Sequence, residues 1–171
     1  DYQIEGVSVG DNLFDHLSIL GETKDLIKSR KLFYFPGDKK FAGISFARNV
    51  KLDSYEAIQF SINPATYQIV SVGGKIRKPF KNNIQKCYKK MEEIYSELKS
   101  TFSNSTEMRG IEKKHTINQK AKIKTHYLKI KGGRISIRCT DWPEDSKIKD
   151  GLVLQIDSEE YSHWINTKAY K

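Results

Sequence analysis

His126-Tyr127-Leu128-Lys129-Ile130-Lys131-Gly132-Gly133-Arg134-Ile135-Ser136-Ile137-Arg138-Cys139-Thr140 alternates apolar and polar residues on both sides of a glycine pair. Successive side chains of a strand point to opposite faces, so this period of two marks β-structure, and a glycine pair suits the positive φ of a tight turn. The stretch reads as a hairpin, His126 to Lys131 and Arg134 to Thr140. With Gly132-Gly133 as a two-residue turn, Lys131 faces Arg134, Ile130 faces Ile135, Leu128 faces Ile137 and His126 faces Cys139. The isoleucines and Leu128 then lie against a core, with His126 and Cys139 inward at the far end. Tyr127, Lys129, Lys131, Arg134 and Arg138 point outward as a cationic face holding one aromatic ring. Such a face can meet phosphate, anionic lipid headgroups or an acidic protein.

Upstream of the hairpin, Ile84, Cys87, Tyr88, Met91, Ile94, Leu98 and Phe102 recur at helical spacing, and Lys86, Lys89, Lys90, Glu93, Glu97 and Lys99 take the opposite side. This predicts a long amphipathic helix of about five turns. Both this stripe and the hairpin register turn a cysteine inward, so a Cys87–Cys139 disulfide pinning helix to sheet is expected. The competing reading groups Cys87, Cys139 and His126 as a thiol site or as three metal ligands.

Between helix and hairpin, Ser103 to Lys122 has little periodicity and is either loop or irregular edge strand. Asn104-Ser105-Thr106 fits a glycosylation sequon, a triplet common by chance. Toward the start, Leu13, Phe14, Leu17 and Leu20 predict a short helix capped by Asp11 or Asn12 and stopped at Gly21. Leu32-Phe33-Tyr34-Phe35 and Phe41 to Phe46 form a hairpin across Pro36-Gly37-Asp38. Tyr55 to Ile62 and Tyr67 to Val72 form another, ended by a turn at Gly73-Gly74. A last strand, Leu152 to Ile156, leads into a helix capped by Asp157 or Ser158 and carrying Tyr161, Trp164 and Ile165.

Connections this short exclude a parallel βαβ sheet. The expected fold is α+β: a curved antiparallel sheet of five or more strands, the long amphipathic helix packed on one face, and short helices at both ends. The 171 residues suit a single compact domain, 1–171. No apolar run approaches the ~20 residues of a membrane-crossing helix, and the reading is of a soluble chain without a transmembrane segment.

Net charge is +9, with 30 Lys or Arg against 21 Asp or Glu. From Arg109 to Arg138 ten basic residues meet one acid, Glu112, and the rest of the chain is balanced, so the whole surplus lies in one segment. The alternative to an anion-binding face is a solvated face in a lysine-rich protein. Lysine reads base edges poorly, and no helix-turn-helix, finger or RNP-like pattern occurs, so sequence-specific nucleic-acid binding is not expected.

Catalytic patterns lack their context. Gly6-Val7-Ser8-Val9-Gly10 meets G-x-S-x-G, but an elbow serine requires a preceding parallel sheet, and only Ile4 and Glu5 lead in. His16, His115, His126 and His163 show no metal-binding spacing. Glu92-Glu93 and Glu159-Glu160 splay apart on helices, and Gly73-Gly74-Lys75 lacks the rest of a phosphate-cradling loop. No cofactor is implied. The chain begins at Asp1 with no basic and apolar leader, which suggests removal of a secretory signal or excision from a longer chain.

Ile4 to Leu13, Tyr67 to Gly74, Cys87-Tyr88-Lys89-Lys90-Met91 and Cys139-Thr140-Asp141-Trp142 resemble a family of small, uncharacterised exported proteins of low-GC marine alphaproteobacteria. The resemblance implies export to the periplasm or beyond, and no activity. The Gly6 to Asp11 stretch is also similar to the small lipoprotein of the outer-membrane β-barrel assembly machine, which has a helical start and a short antiparallel sheet; the lipidated cysteine of that protein has no counterpart at the start here. The expected function is a non-catalytic binding or accessory domain of the bacterial cell envelope, its partner an anionic envelope component or an acidic protein. The alternative is a small hydrolase or thiol enzyme using Ser8 or Cys87 and Cys139.

Overall fold

The computed structural model describes residues 2–115 and 118–171. In chain order the elements are β1 (Gln3–Ile4), β2 (Val7–Ser8), a 3-10 turn (Leu13–His16) continuing into α1 (Leu17–Leu20), α2 (Lys24–Ser29), β3 (Phe33–Tyr34), β4 (Ala42–Phe46), β5 (Ala57–Ile62), β6 (Ile69–Ile76), a 3-10 turn (Lys78–Phe80), α3 (Ile84–Thr101), β7 (Thr106–Lys114), β8 (Lys122–Ile130), β9 (Gly133–Asp141), β10 (Gly151–Ser158) and α4 (Glu159–Thr167). The fold is α+β. Apart from the β1–β2 ribbon, the strands form one open antiparallel sheet in the order β3-β4-β5-β6-β10-β9-β8-β7.

The chain packs as two units, one of residues 1–74 with 156–171 and one of residues 75–155. In the first, α4 is capped by Ser158, whose hydroxyl accepts from the Tyr161 amide, and it buries Tyr161 and Trp164 against Phe41, Val70 and Ala169. The Ser61 hydroxyl donates to the Tyr161 hydroxyl at 2.8 Å inside this cluster, satisfying two polar atoms that burial would otherwise leave costly. Asn12 is the cap of the first turn, its side chain accepting from the Phe14 amide. The predicted helix over Leu13 to Leu20 is therefore a 3-10 turn followed by a single α turn. α2 was not expected; Thr23 caps it by accepting from the Leu26 amide, and of its residues Ile27 is the buried one.

The expected turn at Gly73-Gly74 is instead continuous strand, with β6 running on to Ile76. The glycines serve close packing: a Cβ on Gly74 would stand 2.4 Å from the Tyr55 ring. Where an aromatic ring lies flat on a strand, only glycine leaves room for it.

In the second unit, α3 buries Cys87, Met91, Tyr95 and Leu98. The stripe read from sequence thus holds, with Tyr95 taking the position assigned to Ile94. The disulfide joins Cys87 of α3 to Cys139 of β9, as expected. The Ser103 to Lys122 stretch resolves in favour of an edge strand, β7, whose register shifts between Met108 and Ile111; Thr116 and Ile117 of that stretch lie outside the described residues.

The hairpin register differs from the expected one. Ile130 pairs with Gly133, Lys129 with Arg134, Leu128 with Ile135, His126 with Ile137 and Lys124 with Cys139. The turn residues are Lys131 and Gly132, and of these two only Gly132 takes a positive φ, so Gly133 is released into the strand. Each partner moves by two positions. An even slip leaves every side chain on its original face, which is why the division into core and cationic faces survives.

Candidate anion-binding site

His126, Leu128, Ile135, Ile137 and Cys139 are buried on the face that α3 covers. Strand alternation puts Tyr127, Lys129, Arg134 and Arg138 on the other face, where Lys129 lies directly across from Arg134. Two like charges opposite one another are unfavourable, and part of that cost is relieved by the Arg134 guanidinium packing over the Tyr127 ring, 5.0 Å from its centroid. Lys131, the fifth residue of the predicted face, is exposed in the turn.

Following β9 away from the tip, Arg138 and Thr140 reach a cavity of about 110 Å³ lined by residues of three adjacent strands and the loop between β9 and β10. Lys75 at the end of β6 and Arg77 just beyond it supply two more cations, and Lys149 a fourth. Among the described residues lining the cavity there is no carboxylate. Gly151 opens β10 beneath Arg77, where a Cβ would come within 2.8 Å of the Arg77 Cγ and 2.9 Å of the Ile76 carbonyl oxygen. The absence of a side chain there lets Arg77 lie close along the sheet.

The electrostatics follow from this crowding. Burial, then the like charges of Arg77 and Arg138, bring the Lys75 ammonium down to about 8. His115, whose ring stands 4.8 Å from that of Trp142, is also held below its ordinary value, by burial and then by Arg138 and Lys113. Trp142 is positioned by its backbone amide, which donates to the buried Asp150 carboxylate at 2.8 Å. Burial pushes Asp150 upward, while that hydrogen bond pulls it back.

A second constellation lies on the α3 face. The Gly110 amide donates to Nδ1 of the buried His126 at 2.8 Å, so the ring proton sits on Nε2 and is donated to Glu92 Oε1 at 2.8 Å. Arg109 donates to the other Glu92 oxygen at 2.6 Å, and Tyr95 donates to Glu107, which also pairs with Lys99. Each partner is engaged by another protein group, which describes a device holding α3 to the bulged edge strand.

The catalytic alternatives find little geometry. Ser8 sits in the β1–β2 ribbon rather than on a strand-to-helix turn; its amide donates to Asp11, which also accepts from His16 Nε2 at 2.9 Å, while the buried Ser8 Oγ meets no base. Both cysteines are consumed in the disulfide, so neither offers a thiolate or a metal ligand. Among the described residues no group of three His, Cys, Asp or Glu side chains is arranged to hold a metal ion.

Of the cavity residues Lys75, Arg77 and Lys149, only Lys75 stands in a motif weighed from sequence, Gly73-Gly74-Lys75, which was set aside as a turn; Arg77 and Lys149 belong to no motif. The one local signal was the i, i+2 spacing of Lys75 and Arg77 at the end of a β-run, which puts both on one face. Their meeting with Arg138 depends on strand order.

Fold and site together define an α+β chain with a cationic cavity where β6 and β9 end and β10 begins in an open antiparallel sheet. No protein-family model matches it, and no curated protein or solved structure is similar to it.

Proposed function

We propose that this protein is a non-catalytic binding domain of the bacterial cell envelope that holds an anionic envelope component on its basic sheet face. The observation that carries this reading is the alignment of Tyr127, Lys129, Arg134 and Arg138 on one face of β8 and β9, continued by Lys75, Arg77 and Lys149. Flat aromatic surface beside guanidinium and ammonium groups suits phosphate-bearing headgroups. The disulfide supports a working place in an oxidising compartment, periplasmic or secreted. No helix among the described residues is long and apolar enough to cross a membrane.

Co-sedimentation with phosphatidylcholine vesicles doped with phosphatidylglycerol tests the reading. Binding is expected at low salt, where the Debye length is ~30 Å, and should fall steeply toward ~8 Å at physiological salt. The double reversal Lys129→Glu, Arg134→Glu should abolish it with unchanged circular dichroism. Equal binding by the reversed variant would reduce the face to a solvated lysine-rich surface.

A further inference from the structure

We infer that the cavity lined by Lys75, Arg77, Arg138, Lys149 and Trp142 is a binding site for one tetrahedral oxyanion, a phosphate group either free or as the end of a phosphomonoester. This deepens the reading of the basic face as an anion binder and rests on it for the class of ligand; the cavity itself is a distinct part of that face, apart from the hairpin tip.

Size comes first. At about 110 Å³ the cavity has room for a five-atom oxyanion with bound water.

Charge selects the sign and favours a dianion. Four cations line the cavity, two of them guanidinium groups able to donate paired hydrogen bonds to adjacent oxygens, two of them ammonium groups acting as point charges. The Thr140 hydroxyl adds a neutral donor. Because these groups come from the end of β6, from β9 and from the β9–β10 loop, they approach from more than one side, as the oxygens of a tetrahedral anion demand and the two coplanar oxygens of a simple carboxylate do not.

The third argument is the crowding of like charges around Lys75. Lys75 is partly withdrawn from water beside two like charges, an arrangement that lowers stability unless an anion compensates it. Gly151 maintains the crowding by letting Arg77 settle toward the sheet.

Titration of the disulfide-intact chain with inorganic phosphate at pH 7, followed by calorimetry and by Trp142 fluorescence, tests the inference, with sodium acetate at matched ionic strength as control. A dissociation constant on the order of 1 mM or tighter is expected for phosphate, with acetate at least tenfold weaker. Lys75→Met should weaken phosphate about tenfold or more while melting no lower than the parent, because it relieves repulsion. Lys129→Glu with Arg134→Glu should leave phosphate affinity within about twofold. Phosphate affinity unchanged by Lys75→Met, or equal affinities for phosphate and acetate, would overturn the site. Vesicles doped with phosphatidic acid separate the two sources of phosphate: competition by inorganic phosphate supports a lipid phosphomonoester as ligand, and phosphate binding without vesicle binding supports the free ion and sinks the envelope-face reading alone. Vesicle binding that persists with no phosphate binding sinks the cavity site and leaves that reading standing.

Discussion

The Gly110 amide donates to His126 Nδ1 at 2.8 Å where the edge strand β7 shifts register against β8. A bulge leaves a backbone donor without a ladder partner, and here an imidazole from the neighbouring strand supplies the acceptor. His126→Ala would leave that amide unsatisfied, release Glu92 and empty the space against Tyr95. The expected cost is about 2–3 kcal/mol in denaturant unfolding, with Gly110 among the amides whose hydrogen exchange accelerates most.

The Cys87–Cys139 bond closes a separation of 52 residues, worth about 4 kcal/mol in the chain-entropy account. Replacing both cysteines by alanine should lower stability by about 2–4 kcal/mol. Non-reducing mass spectrometry of the native chain should give a mass two hydrogens below the reduced form. A reduced pair in protein taken from an oxidising compartment would contradict the bond.

Lys75 should make stability rise with pH over an alkaline window. Below about 8 the lysine is charged in both states and its confinement counts fully against the fold. Between about 8 and 10.5 the folded lysine is neutral while the unfolded one still holds its proton, so the unfolded state binds more protons and stability increases. Above 10.0 the effect reverses, since burial holds Tyr55 and Tyr95 up to about 12 and they keep protons that the unfolded chain releases. Melting temperature should therefore pass through a maximum near pH 10, and the rise toward it should vanish in Lys75→Met and flatten in phosphate.

In acid, hydrogen bonding from His126 and Arg109 holds Glu92 below the usual carboxylate range, as Lys99 and Tyr95 do for Glu107. A depressed folded value means stabilisation that is present above the ordinary value of 4.5 and lost as pH falls through the folded one. The double variant Glu92→Gln, Glu107→Gln should be less stable at neutral pH and show a shallower decline from pH 5 to 3. Parallel curves for variant and parent would rule these two carboxylates out as its source.

Local chemistry made much of this protein legible from sequence. The 3.6-residue stripe of Cys87, Met91 and Leu98 and the period of two around Gly132 each follow from how side chains leave a helix or a strand, so α3 and the β8–β9 hairpin, and with them the facing cysteines, could be read from residues a few positions apart. The register and the cavity could not. Register turned on which of Lys131, Gly132 and Gly133 occupied the turn, and two adjacent glycines offer the positive φ equally well, so composition leaves that choice open. Strand order then brought β10 between β6 and β9, joining Lys75 and Arg77 to Arg138 and Lys149 across as many as 74 positions. Hydrogen-bonded pairing between distant strands carries no short-range signal, and a lysine bound for a crowded cavity looks in sequence like any lysine bound for solvent.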